Sequence, residues 1–371
     1  MVFLALFFTL IPCVCAENTD KNQIYKEQFE SSGASQLSSS IPKDTLKSLD
    51  KLNISLNSPE SLAKIDISNF FEEVYAESQK NFKHIFSYLT SILGVLILCA
   101  GIKSFAPENK KAPQENVLNM VCTMCLSGCL TAPITKCIGA SKSVILTASN
   151  FTVSLGAVMS GIMIASSKPV SASAYQCLVL FSGQVMSRLS EFFLIPIMNF
   201  LFGISILSAI STHINLEKFC SSSYRLIKNI VKFTSALFVG ILTLQNIVGN
   251  AADNLAISGT KMLIDTCVPI VGGAVSDAFS TVRSCLKLLK SGVGAFGIIA
   301  GVFTFVPIIS ECIIWVVFLG ICEFLSDCFD LKKPSLLFKN TSEIMKTLIA
   351  VLSCVIVILI SSSGIIMIIG G

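Results

Sequence analysis

Charge is what this chain has least of. Asp, Glu, Lys and Arg make up 13% of its 371 residues, where a soluble globular domain carries roughly 25%. That deficit excludes an ordinary water-soluble fold, because long uncharged runs take the place of the missing charge and 53% of residues are hydrophobic. The remaining charge balances to +4. This is too little for an electrostatic footprint on nucleic acid, so no nucleic-acid partner is expected. Histidine is nearly absent: His84 starts an apolar run and His213 sits between two others. Each reads as an interfacial polar residue rather than a base. No Gly-x-Ser-x-Gly, His-Glu-x-x-His or phosphate-binding glycine loop with a following Lys-Ser/Thr occurs. The chain therefore reads as non-enzymatic, with no catalytic residue and no cofactor. With one Trp and five Tyr against 26 Phe, it also lacks the aromatic girdle that would mark where spans meet the interface.

Cysteine is not scarce, but none of the 15 falls in residues 17–83, so that region has no disulfide framework. Cys122 and Cys125 form a Cys-x-x-Cys with Cys129 one turn on. They lie in an apolar run without a second such pair or a nearby His, so they read as packing residues and no metal is expected.

What is present is a series of apolar stretches at 85–102, 117–135, 144–165, 174–188, 192–211, 230–249, 292–310, 312–325 and 348–369. They give an all-α, polytopic membrane protein of about 8–10 spans, with membrane lipid as its first partner. Three regions follow: a signal peptide at 1–16 with cleavage after Ala16, a polar extracytoplasmic N-terminal region at 17–83, and a polytopic transmembrane domain at 84–371. In the N-terminal region Phe70, Phe71, Val74 and Tyr75 form an apolar helical stripe. Residues 211–230 alternate apolar and basic positions and read as a helix lying on the membrane surface.

The chain is organised around residues 258–307. Lys261, Asp265, Asp277, Arg283, Lys287 and Lys290 punctuate this stretch at helical spacing, and Pro269 is followed by the paired Gly272 and Gly273. A proline and two glycines expose polar backbone, which lipid does not tolerate except against protein or a water-filled cavity. The stretch at 256–290 therefore reads as a broken or re-entrant helix. Lys261, Asp265, Pro269, Gly272, Gly273, Asp277 and Lys290 are its candidate polar-cavity residues. A second reading, an interfacial loop that only packs, stands beside it.

The order of these elements is distinctive: Lys261, then Pro-Ile-Val-Gly-Gly at 269–273, Ser276-Asp277-Ala278, Leu289-Lys290, Gly292-Val293-Gly294, and an apolar span reaching Pro307. With the signal peptide, polar region and many spans, it resembles the stage III sporulation protein AE family of endospore formers. The resemblance implies a multi-pass membrane subunit of a channel complex between mother cell and forespore. Such a protein would sit in the mother-cell-derived outer forespore membrane, with other membrane subunits of that complex as partners. It supplies no catalytic residues.

Two function classes remain: a subunit of a transenvelope channel or secretion apparatus, and a permease for a small solute or ion. The intramembrane charges Lys261, Asp265, Glu191 and Glu311 fit either. The exported polar region and the absence of an internal repeat favour the subunit. Counting Lys and Arg in the loops puts the N-terminal region outside and Lys332, Lys333, Lys339 and Lys346 inside, provided that residues 256–275 cross the membrane. If the signal is cleaved, the mature protein begins at Glu17. Mass spectrometry of the membrane-inserted form finding an intact Met1 would contradict this.

Overall fold

The computed structural model describes residues 19–52, 54, 67–104, 113–210, 216–267 and 272–368, with no strand among them. In chain order they form α1 (Thr19–Ser31), a 3₁₀ helix (Ala34–Ser40), α2 (Lys43–Lys51), α3 (Ile67–Ser104) and α4 (Pro113–Ala165). Then come α5 (Pro169–Leu189), a π-helical turn (Ser190–Leu194), α6 (Ile195–Ile210), α7 (Glu217–Cys267), α8 (Gly272–Cys328) and α9 (Lys332–Ile368). Residues 1–16, expected to be a signal peptide, and Pro269 lie outside the described residues.

Among the described residues, six helices are long and apolar enough to cross a membrane. They are fewer than the apolar stretches because neighbouring stretches fuse. Residues 117–135 and 144–165 lie in one helix, α4; 292–310 and 312–325 lie in α8; 174–188 and 192–211 are continuous through the π-helical turn. The polar residues between members of each pair do not end the helix. Pro133 and Pro307 sit inside α4 and α8. A proline removes one backbone hydrogen bond and bends a helix without having to end it. Within α4, Thr131 and Thr135 hydroxyls donate to the carbonyls of Ser127 and Thr131, both at 2.7 Å, so the side chains flanking Pro133 also find backbone partners within the helix.

Residues 211–230 are likewise not a separate surface helix. Glu217 onward is the first part of α7, with Cys220, Tyr224 and Ile227 buried and Lys218, Arg225 and Leu226 exposed. The Tyr224 and Ser205 hydroxyls, 2.9 Å apart, tie it to α6. Further along α7, Val231, Ser235, Phe238, Leu242 and Gly249 face inward while Phe233, Leu237, Ile241, Leu244 and Val248 face outward. A helix apolar on both faces suits protein on one side and lipid on the other.

α9 occupies the centre, packed against α8, α7, α4 and α6. Its apolar side chains at 344, 345, 348, 351, 352, 355, 358 and 359 are all buried. Its hydroxyls are satisfied within the helix: Thr347, Ser362 and Ser363 donate to carbonyls four residues back. α8 runs antiparallel to it at close range. A Cβ at Gly294 would come within 2.6 Å of Met367, one at Gly297 within 2.7 Å of Leu155 and 3.0 Å of Ser363, and one at Gly301 within 2.6 Å of Leu359. Gly156 meets Val179 in the same way, whereas Gly161, Gly203 and Gly240 face open space.

The helix ends gather at two levels. At one, Lys103 bonds the Asp330 carbonyl and carboxylate, and Lys333 donates to the Ile210 carbonyl at 2.8 Å, a cation on orphan acceptors of a helix C-terminus. This joins the ends of α3 and α6 to the α8–α9 turn. At the other level the α4–α5 turn meets α7. α7 is continuous to Cys267, and α8 runs from Gly272 to Cys328.

The N-terminal elements lie against the bundle. α1 and α2 pack on α8, and the 3₁₀ helix packs on α4. Ser40 donates to Ser154 at 3.1 Å, the Thr45 and Thr304 hydroxyls lie 3.4 Å apart, and Phe70 meets Phe303 edge-on at 5.2 Å. Burial pushes the Tyr25 hydroxyl up to about 12. Its contribution to stability is therefore complete below the ordinary tyrosine value and is lost as pH rises from there through 12.

Gly297→Leu or Gly301→Leu forces α8 away from α9 or α4 and is expected to cost about 1–3 kcal/mol, read as a lower melting temperature of the detergent-purified protein. Gly240→Leu, facing open space, leaves it unchanged. Equal effects at all three positions would contradict the packing described.

Candidate functional site

The candidate cavity residues fall where α7 gives way to α8. Lys261 and Asp265 belong to the last turns of α7, and Gly272, Gly273 and Asp277 to the first turns of α8. Their side chains, like Pro269, lie outside those described. Lys290, about one turn before the close approach of α8 to α9 begins at Gly294, is described, and it is 4% exposed.

A polar junction joins the start of α5 to α7. Pro169 opens α5, where its missing N–H costs nothing. The next two amides, Val170 and Ser171, donate to the two carboxylate oxygens of Asp253 at 3.1 and 2.9 Å. A carboxylate from a neighbouring helix thus takes the place of a local N-cap and answers the positive end of the helix dipole. Asp253 is 1% exposed. α5 can come this near because residue 249 is glycine: a Cβ there would lie 2.9 Å from the Ser171 hydroxyl and 3.2 Å from its Cα. Lys168, in the turn before α5, is buried and donates to Asn250 Oδ1 at 3.2 Å. The charges of Lys168 and of exposed Lys287 both act on Lys290. No carboxylate partner of Lys290 occurs among the described residues, and the Ser171 hydroxyl is buried without a hydrogen-bond partner. The described carboxylate at this junction is engaged by backbone amides.

A second polar group lies partway along the bundle. Lys142 of α4 pairs with Glu191 at 3.5 Å, Glu191 sits in the π-helical turn, and Arg188 lies over the Phe192 ring at 5.7 Å. The π turn lets Arg188-Leu-Ser-Glu191, a break by sequence, remain helical. Glu311 lies near Cys137, whose Sγ is 3.5 Å from that of Cys312. Among the described residues no group of three or more His, Cys, Asp or Glu could hold a metal ion.

Sequence reading found Lys290, Glu191 and Glu311 but not Lys168, Asn250, Asp253 or Lys142. A Lys-Pro between two apolar runs and an Asn-x-x-Asp closing a third were visible. Nothing in the linear order said that these two run ends would meet.

The family model described as Stage III sporulation protein AE matches residues 58–370. The Stage III sporulation protein AE of Bacillus subtilis (strain 168) is 23% identical over 245 residues, covering 65% of this chain and 58% of that protein. The chain thus aligns with somewhat over half the length of this curated relative. No solved structure matches. With its helical bundle and a family match running from before α3 to the end of α9, the chain belongs to the stage III sporulation protein AE family.

Proposed function

We propose that this chain is a non-enzymatic, multi-pass subunit of a transenvelope channel or secretion complex needed for endospore formation, seated in the mother-cell-derived outer forespore membrane. A role in sporulation follows from the family; the complex, the membrane and the partner subunits are the proposal. The observation that carries it is the family match over residues 58–370 on a bundle of six membrane-length helices. The N-terminal elements packed along α4 and α8 support a role for residues 17–83 as part of one membrane unit.

Orientation follows from the lysines. Lys103, Lys332 and Lys333 lie at the level of the α8–α9 turn, and Lys218, Arg225, Lys228 and Lys232 begin α7 from that same level. The positive-inside rule makes that level cytoplasmic and turns the α4–α5 turn and the α7–α8 break outward. In this reading Lys261, Asp265 and Asp277 flank an outward-facing break around Pro269, Gly272 and Gly273.

Single cysteines at Ser167 and Lys332 in a cysteine-free background should label from opposite sides of the membrane; labelling from one side overturns the orientation. Tagged protein purified from sporulating cells should carry other membrane proteins with it. Solute uptake by the protein alone in liposomes, with no partners recovered, would favour a permease. Gly272→Leu should abolish sporulation at unchanged protein level. Lys261→Met with Asp265→Leu should be milder than either change alone, because loss of one partner of a buried pair strands the other. Normal sporulation in the glycine variant and in Asp265→Asn would remove the polar break from the proposal.

A further inference from the structure

Three helical runs place a polar residue at the same distance from the level of the α8–α9 turn. At that level Lys333 donates to the Ile210 carbonyl and Lys103 bonds Asp330. Counting back along the chain, Glu191 stands 19 positions from Ile210, Glu311 19 from Asp330 and His84 19 from Lys103. That is about 28 Å of helix, close to the roughly 30 Å of bilayer hydrocarbon. Between these limits the outer surface of α3 and α8 is apolar, with Ile97, Leu98, Ile102, Val317, Ile321 and Phe324 exposed. Beyond them the N-terminal elements, with Lys26, Glu27 and Glu30 exposed, pack on α4 and α8 and reach Ser154 and Thr304. Thr304 stands about 39 Å of helix from Asp330. A bilayer seated between the limits meets apolar surface on α3 and α8 and leaves the N-terminal elements in water.

α7 inverts this pattern. It packs on α9 and α5, whereas α3 packs on α8 and α4. Its Tyr224 meets Ser205 near the end of α6, and its Lys228 donates to Glu343 of α9 at 3.0 Å. These contacts put Arg225 about 9 Å and Lys232 about 20 Å from the level of the turn. Lys218, Arg225 and Lys232 recur every seven positions, so they share one side of α7. All three are exposed, as are Asn229 and, on α9, Lys346. At the depth where α3 and α8 show apolar side chains, α7 and α9 thus show cations. Charged side chains at membrane depth face a bundle interior or a water-filled cavity, because hydrocarbon does not solvate them. Lysines at the ends of the row can extend toward water; Asn229 and the Lys228–Glu343 pair lie midway. Farther from the turn the relation reverses. α7 has no charge from Phe233 to Ala252, and Leu244, Ile247 and Val248 are exposed there. They stand about 38–44 Å from the turn, at the height where polar elements cover the other side of the bundle.

We propose that copies of this chain meet through α7, and that Lys218, Arg225, Asn229, Lys232 and Lys346 line a water-filled passage between them at bilayer depth. The uncharged part of α7 touches its counterpart without electrostatic cost. The cations nearer the turn repel theirs and stand apart across water. The passage is therefore widest toward the α8–α9 turn, and its walls attract anions. A second copy is the occupant because contact and separation both come from the pattern of α7 itself; an acidic partner would be drawn to the cations instead. The assembly does not rest on the role in sporulation.

The test uses the full-length protein in unsealed membranes, with single cysteines in a cysteine-free background. Arg225→Cys and Lys232→Cys should react with a charged maleimide about tenfold or more faster than Val317→Cys and Phe324→Cys at the same depth, since hydrocarbon suppresses the thiolate that reacts. Ile247→Cys should give a homodimer with a short bis-maleimide, and Val317→Cys should not. Independently, the wild-type protein in mild detergent should hold two or more copies per particle by light scattering, and Ile247→Glu one. The proposal is overturned if the Arg225 and Lys232 variants react no faster than the lipid-facing pair. It is equally overturned if Ile247→Cys cross-links only to another membrane protein or to nothing, or if wild-type particles hold a single copy. None of these readouts needs a sporulating cell, so failure of the sporulation role leaves them unchanged.

Discussion

The bundle depends on how closely α8 can approach α9 and α4. Lipid is as apolar as the helices it surrounds, so burying leucine against leucine gives no net gain in a membrane, and association rests on contact density. Gly294, Gly297 and Gly301 remove the side chains that would hold α8 off. They let Met367, Leu155, Ser363 and Leu359 fill the space directly over its backbone. α9, with buried apolar positions all along its length, then has neighbours on several sides. Widening that contact would loosen the helices that rest on α9 as well as α8.

Polar groups are handled in three ways, according to where they fall. Hydroxyls within the bundle return to their own helix, as Thr347, Ser362 and Ser363 do. Charges at helix ends close the backbone groups left over there, as with Lys333 on Ile210 and Asp253 on Val170 and Ser171. Charges midway are paired across helices, as with Lys142 and Glu191. Lys290 has no carboxylate partner among the described residues.

Much of this was legible in linear order. Low charge and long apolar runs identify a helical membrane protein, and the runs at 85–102 and 348–369 end close to where α3 and α9 end, although both helices begin well before the runs do. The errors came from polar residues inside helices. Arg188, Glu191, Glu311 and Pro133 look like interruptions in a hydropathy profile, yet a helix accommodates them by a π turn, an interhelical pair or a bend. The amphipathic residues 217–228 were read as lying on a surface, because periodicity alone cannot tell a lipid interface from the flank of a neighbouring helix. Tyr224 and Cys220 face α6 instead. The glycines at 156, 294, 297 and 301 make close contacts and those at 161, 203 and 240 do not. Spacing along one helix carries no information about the side chain opposite. The junction around Lys168 was invisible for the same reason: its members come from two separate helices and one turn.

The central position of α9 has a consequence for biosynthesis. It is the last of the six long helices in chain order, hence the last to leave the ribosome. α3 to α8 must enter the bilayer before the element that most of them pack on exists. During that interval lipid solvates their inward faces, including the glycine groove of α8 and the half-buried ions at Lys142 and Glu191. Close packing of the bundle therefore waits on the last of these six helices rather than on the first.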